Sequence, residues 1–330
     1  MAGHRLMARL FWFWYAAGTV LLVLLRLPES LEFANGLFLV FYALYACSLH
    51  LRERLGTTGN DSLVIKKTPP DAYAVPPGRL GRIRRTGHFG QTSQTSQVSQ
   101  TGQTGQTGQT GQTGQTGQTG QTGRKDGLPR TVLTAALIWL AGMGVEWIGV
   151  HTGLLFGDYR YSSALGPLMF GVPVTLGFAW IAVVLNALLL APGAAAASGK
   201  KGAAFGWRPL LFRAVLTGCW AVLLDLVLDP VAQARGYWDW GTDAGFYGVP
   251  WSNFAGWFAA AALLSFAPGR IRFSPAGIRR GVRLYQAMLL MFGLISLRDG
   301  LPLCALIAAA GILLAEGRVR HASRRQAARV

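Results

Sequence analysis

The sequence is poor in charge, in cysteine and in histidine. Only 14% of its 330 residues are Asp, Glu, Lys or Arg, against about a quarter in a soluble domain, which argues against a soluble globular enzyme. Three cysteines, Cys47, Cys219 and Cys304, each sit inside an apolar run. They offer no disulfide framework and no metal-ligand spacing, and read as small apolar core residues. The five histidines, His4, His50, His88, His151 and His321, are scattered, which excludes the histidine boxes of membrane di-iron hydroxylases and desaturases. No phosphate loop or nucleophile elbow is present. GMGVEWIG carries Trp147 where the third glycine of a dinucleotide loop belongs, and it lies in an apolar run with no preceding strand. Acid is scarcer than base, 14 Asp+Glu against 31 Lys+Arg, a net charge of +17. With 51% hydrophobic residues, that charge requires apolar and basic segments to alternate, the pattern of a membrane protein rather than a nucleic-acid binder.

Eight apolar segments are present: Leu10–Leu25, Phe33–Leu51, Thr131–Val150, Leu165–Leu190, Leu210–Leu228, Val249–Phe266, Leu284–Leu297 and Leu301–Ala315. A helix needs about 20 residues to cross the hydrocarbon layer, with roughly 17 as the short limit. The first, seventh and eighth therefore need their flanks, and the last pair is either a tight helical hairpin or a re-entrant feature. Basic residues concentrate on the cytoplasmic side of membrane proteins. With the N-terminus inside, 27 Lys and Arg fall inside and four (Arg26, Arg160, Arg235 and Arg298) outside. The expectation is an all-α, polytopic transmembrane bundle of about eight spans in the cell membrane, with both termini cytoplasmic. The basic loops orient the protein and touch anionic headgroups. Leu10–Leu25 is long for the apolar part of a signal peptide and no small-x-small site follows it, so it reads as a retained span.

Residues 91–123 form a triplet tract, first QTS-like and then QTG, with no charge and no large apolar side chain besides Val98. Such a segment cannot bury enough surface to offset its ordering entropy and is expected to be a disordered cytoplasmic linker. The organisation is then a helix pair over 1–51, a linker over 52–127 and a six-span membrane domain over 128–330.

Ionisable groups inside spans are functional candidates, because burying them costs free energy. Glu146 lies near the outer end of the third span, and Asp225 and Asp229 lie in the fifth, in LLDLVLDP. Four-residue spacing puts the two aspartates on one helix face, about 6 Å apart at Cβ, and Pro230 is expected to end that helix. Asn186 stands alone near the inner end of the fourth span, and Asn253 begins the sixth. His151, Asp158, Asp239 and Asp243 fall on the same outer side, with Tyr159, Tyr161, Trp238, Trp240, Tyr247, Trp251 and Trp257. Three bland readings compete: an aromatic belt for the rings, solvation for loop acids such as Asp239 and Asp243, and helix-to-helix hydrogen bonding for Glu146, Asp225 and Asp229.

Carboxylates and aromatic rings beside lipid suit acid–base chemistry on a lipid-soluble polyene. A carboxyl group kept protonated in an apolar pocket can protonate an alkene. Trp and Tyr faces, or a neighbouring carboxylate, stabilise the resulting cation. A second carboxylate then orients water or removes a proton. The product is an alcohol, an isomer or a ring.

Three blocks carry a specific resemblance: EWIGVHTGLLFGDYRYSSALGPLMFGVPVTLGFAW, LDLVLDPVAQARGYWDW and FYGVPWSNFAGW. In this order they resemble the membrane carotenoid-biosynthesis family of the bisanhydrobacterioruberin hydratase and carotenoid 1,2-hydratase type. The resemblance runs from about Val145 to Trp257 and leaves out the first two spans and the triplet tract. It implies cofactor-independent addition of water across the terminal 1,2 double bond of an acyclic carotenoid end, giving a tertiary alcohol. The expected partners are a carotenoid, water, membrane lipids and other enzymes of carotenoid biosynthesis, with no nucleic acid, metal or cofactor. Chemistry then gives the roles: one of Glu146 and Asp225 donates the proton, and Asp229 positions water or stabilises the cation. His151, Asp158, Tyr159, Tyr161, Trp238, Trp240, Asn253 and Trp257 shape the pocket. Three alternatives remain open at this point: a prenyltransferase with Asp225 and Asp229 holding Mg²⁺, a carotenoid cyclase, and a non-enzymatic polytopic protein.

Overall fold

The computed structural model describes residues 2–25, 33–65, 127–191, 207–241, 244–269, 271 and 273–327. The triplet tract, the rest of the linker over 66–126 and Asp243 lie outside the described residues, whereas 52–65, expected in the linker, continue helix α2. In chain order the helices are α1 (Ala2–Leu24), α2 (Phe33–Ile65), α3 (Gly127–Thr152), α4 (Leu176–Leu190), α5 (Trp207–Ala234), α6 (Trp251–Leu264), α7 (Pro275–Arg298) and α8 (Pro302–Ala327). Each apolar segment of the sequence has its helix. Five of them, α1, α2, α3, α5 and α8, contain stretches long and apolar enough to cross a membrane, and the protein is a multi-pass membrane protein.

The shortfall in length falls on different helices from those expected. Flanking residues extend α1, α7 and α8 to 23, 24 and 26 residues. It is α4 and α6 that are short, at 15 and 14 residues, about 22 and 21 Å of rise. The expected fourth span is cut because Gly166, Pro167, Gly171 and Pro173 interrupt any helix. There the chain forms a 3₁₀ turn (Ser163–Leu165) and two short strands, β2 (Leu168–Met169) and β3 (Val172–Pro173). The fold is therefore not purely helical: β1 (Arg160–Tyr161) also pairs antiparallel with β4 (Trp238–Asp239).

Helix α4 is apolar on every side, and all of its residues except Phe178 are buried. A helix of that pattern belongs at the centre of a bundle, and α4 packs against α2, α3, α5, α6 and α7. Helix α3 instead has two faces. Thr131, Thr134, Ile138, Gly142, Glu146 and Gly149 recur at helical spacing and are buried, whereas Leu133, Leu137, Leu140, Trp147 and Ile148 face outward. The inward stripe of small residues lets α4 approach closely. A Cβ on Gly142 would stand 2.7 Å from the Trp180 ring, so this glycine admits the indole one turn before Glu146. Asn186 sits at the α4–α7 contact; with its amide turned so that the nitrogen donates to the Gly281 carbonyl at 2.8 Å, the oxygen accepts from the Tyr285 N–H at 3.1 Å.

Pro230 does not end α5, which continues to Ala234. Proline removes one backbone bond, but the turn beyond it is held from outside. The Arg235 guanidinium, buried beside the equally buried Asp299, donates from Nε at 2.7 Å and from Nη1 to the Leu22 carbonyl at 3.0 Å. Asp299 belongs to the α7–α8 connection, where Gly300 adopts φ +78°. The last two helices thus form a tight hairpin, pinned at one end to α1 and α5.

Candidate functional site

The two loops that follow α3 and α5 meet over one end of the bundle. The β1–β4 pair sets Tyr161 opposite Trp238, and the Ser162 N–H donates to the Tyr237 carbonyl at 2.9 Å. Beneath this cap lie the three intramembrane carboxylates, with Glu146, Asp225 and Asp229 exposing no more than 2% of their surface.

Glu146 is a hub of donors. Its Oε2 accepts from the Tyr161 hydroxyl at 2.6 Å and the Tyr159 hydroxyl at 2.7 Å, and its Oε1 accepts from the Trp180 indole N–H at 2.9 Å. Asp225 and Asp229 lie on one face of α5, as their spacing predicts, and share one donor. The Asn253 amide nitrogen reaches Asp229 Oδ2 at 2.5 Å and Asp225 Oδ2 at 3.1 Å. The Oδ1 of each aspartate is buried with no hydrogen-bond partner. Buried carboxyl oxygens are normally paired, so these two mark a place for a proton or a water. Burial and the neighbouring Glu146 carboxylate push the Tyr159 and Tyr161 phenols above their ordinary value, which keeps both as donors.

Glu146, Asp229 and Asn253 line one small chamber with Tyr159, Tyr161, Trp238, Trp240, Trp257, Phe156 and Leu176. It leaves about 10 Å³ for water centres, the space of roughly one molecule. The rings form a connected cage. Tyr161 and Trp238 meet edge to face at 5.6 Å, Tyr159 lies 5.8 Å from Trp240, and Trp180 stacks on Trp257 at 4.5 Å. The Trp240 N–H is tied to the Phe156 carbonyl at 3.2 Å, while the Trp238 N–H has no partner.

Leu176, Trp238 and Trp257 also line a second cavity. This cleft is apolar, with about 60 Å³ for water centres, and runs between α1, α2, α4, α5 and α7 along Leu22, Phe38, Val183, Leu228 and Met291. Three side chains thus separate a polar chamber from a hydrocarbon-lined cleft.

Of the residues singled out in the sequence, Glu146, Tyr159, Tyr161, Asp229, Trp238, Trp240, Asn253 and Trp257 converge on the chamber, with Asp225 joined through Asn253. His151 and Asp158 do not: both side chains are exposed. His151 turns back to the Trp147 carbonyl at 2.9 Å, and Asp158 stands exposed at a bend just before buried Tyr159. Asp239 is exposed as expected, accepting from the Gly241 N–H at 2.8 Å. Sequence reasoning missed Trp180, the third donor to Glu146. Nothing local in α4, where Phe178 is a second ring, pointed to it.

Residues 119–315, more than half of the chain, match the model of the carotenoid biosynthesis protein family. The chain belongs to this family. A bisanhydrobacterioruberin hydratase from Haloarcula japonica is 39% identical over 163 residues, 48% of this chain and 50% of that protein. The chain thus spans about half the length of this curated relative. No solved structure matches it. All three carboxylates fall inside the part matched by the carotenoid biosynthesis family. Helices α1 and α2 fall outside it, yet they supply Leu22, Phe38 and Tyr42 to the apolar cleft.

Proposed function

We propose that the protein is a carotenoid hydratase that adds water, without a cofactor, to the terminal 1,2 double bond of an acyclic carotenoid end. One observation carries the reading. A carboxylate-walled, aromatic chamber with room for one water shares a wall with a hydrocarbon-lined cleft. Membership of the carotenoid biosynthesis family and the name of the relative support it. The polyene end lies in the cleft and reaches the chamber water through the wall of Leu176, Trp238 and Trp257 that the two spaces share, which parts to admit it.

Hydrogen-bond counting argues against Glu146 as the donor and for the pair of Asp225 and Asp229. Both Glu146 oxygens are already taken by donors, the environment of an anion. The aspartates instead present two unpartnered Oδ1 atoms, and two carboxyls in one site readily share a single proton. Asp229, the member that lines the chamber, delivers it. The proton adds to the less substituted alkene carbon, and the tertiary cation that results faces the Glu146 carboxylate and the surrounding rings. The chamber water attacks that cation through oxygen and returns its extra proton to the aspartate pair. The product is a tertiary alcohol, and the pair is restored. We further propose eight membrane-embedded helices with both ends cytoplasmic, which sets the chamber near the outer surface.

The test is expression of the full chain in a lycopene-producing host, followed by mass analysis of the pigments. Hydration adds the mass of one water per reacted end. Ring closure adds nothing, and prenyl transfer adds an isoprenoid unit. Unchanged lycopene, or hydrated pigment undiminished in E146Q, D225N and D229N alike, overturns the assignment.

A further inference from the structure

The chamber is closed to bulk water, yet the reaction proposed for it consumes one water at each turnover. Its carboxylates are buried, and the space beside them holds roughly one molecule. The neighbouring cleft is walled chiefly by apolar side chains and gives water few partners. Refilling therefore needs another way in, and helix α5 carries polar groups that lead to one.

Asp225, Asp229 and Gln233 follow one another at four-residue spacing, so they form one polar stripe along α5. The stripe continues past Pro230 because the helix itself continues, to Ala234. Gln233 is its outermost member and is half-buried. The two ends of its amide are treated unequally. Nε2 donates to Asp239 Oδ1 at 3.2 Å, whereas Oε1 is buried with no partner. Buried polar atoms are normally paired. One turn further in stands Asp229, whose Oδ1 is buried and unpartnered as well. Side chains one turn apart have Cβ atoms about 5–6 Å from each other, and one water with a hydrogen bond of about 2.8 Å on either side spans such a gap.

The second cap loop holds Gln233 in place. Side chains alternate along an extended strand, and over 238–240 Trp238 is buried, Asp239 exposed and Trp240 buried again. Trp238 and Trp240 wall the chamber, and the residue between them accepts from Gln233. The same Asp239 Oδ1 is fixed by the Gly241 N–H at 2.8 Å. One short stretch of chain thus closes the chamber and anchors the outer end of the polar stripe.

We propose that Gln233 passes water between the solvent at the cap and the chamber. A water arriving beside exposed Asp239 donates to Gln233 Oε1, moves one turn inward to Asp229 Oδ1, and so enters the chamber that Asp229 lines. Only hydrogen bonds form and break. Gln233 is a positioning residue, and the need for it rests on the hydratase reading.

The experiment is hydrogen–deuterium exchange of indole N–H groups, followed by NMR in the full chain carrying isotope-labelled tryptophan. The Trp180 N–H, bonded to Glu146, reports water reaching the carboxylates and is assigned by its loss in W180F. The Trp139 N–H, buried where α3 packs on Gly177 of α4, is the control. Q233M keeps the length of the side chain and removes its acceptor. It is expected to slow Trp180 exchange about tenfold, the worth of one hydrogen bond, and to leave Trp139 exchange unchanged. Q233E, which keeps an oxygen, restores the rate. A variant that merely loosened the fold would speed exchange instead. Lycopene turnover in Q233M should show kcat lower by about tenfold with KM unchanged. Q233L repeats the measurement if Q233M does not fold. Trp180 exchange in Q233M at or above the wild-type rate overturns the route and leaves the hydratase reading intact. A wild-type chain that hydrates no lycopene overturns that reading instead, and the exchange rates still decide whether the route exists.

Discussion

Replacing Glu146 by Gln separates its charge from its shape. Three donors converge on the carboxylate, two phenols on Oε2 and one indole on Oε1. The indole N–H can only donate, so the amide carbonyl must turn to Trp180. The amide NH₂ then faces Tyr159 and Tyr161, whose hydroxyls can rotate to accept. The hydrogen-bond count therefore nearly survives, while charge-assisted bonds become neutral ones. That exchange, with one hydroxyl left poorly paired, costs about 1–3 kcal/mol of stability. Catalysis loses more, because the negative charge facing the cation is gone. Removing one preorganised electrostatic group costs about 10²–10³ in rate, or roughly 2.7–4 kcal/mol at 1.36 kcal/mol per decade. The assay pairs the ratio of hydrated to unreacted pigment in a lycopene-producing host with fluorescence-detected thermal unfolding in detergent. E146Q should accumulate folded protein and almost no hydrated pigment. E146D, one methylene shorter, should fail in both, since it withdraws from all three donors. Hydrated pigment at the wild-type level in folded E146Q, with D229N inactive, would reduce Glu146 to a structural hub and refute the cation-stabilising role.

Other outcomes follow from the same geometry. N253A removes the amide shared by Asp225 and Asp229; activity should vanish and stability fall by about 1–3 kcal/mol, read by the same two assays. L39W fills the apolar cleft from α2 and should abolish both pigment retention and turnover while leaving the unfolding temperature within a few degrees of wild type. R235A strands the buried Asp299 carboxylate and should cost about 3–5 kcal/mol, seen as loss of folded protein on size-exclusion chromatography. Tyr159 and Tyr161 titrate above the ordinary phenol value of 10.0 in the folded protein. Their contribution is complete below pH 10 and is lost as pH rises above it, because the unfolded chain then releases those protons first. An alkaline unfolding series should show that loss in the wild type and a shallower one in Y159F/Y161F.

Much of the site is legible because helical periodicity is local. Asp225 and Asp229 share a face of α5 for the reason their four-residue spacing gives, and Asn253, at the start of α6, meets them there. Residues were misplaced where facing depends on neighbours. His151 is five positions after Glu146, about 140° around the helix, and so turns away from the chamber. Pro230 reads locally as a helix end, but the Arg235–Asp299 pair holds the following turn in place. Trp180 is silent in sequence, because nothing local says that Gly142, on another helix, clears the space for its ring.

The sequence by itself determined that the chain lives in a membrane, and which few acids interrupt its apolar helices. Both follow from composition and from periods of a few residues. Only the tertiary structure decided that α1 and α2 wall the cleft, and that Trp180 completes the donor set of Glu146. These contacts join residues tens to hundreds of positions apart, and packing, not local spacing, brings them together.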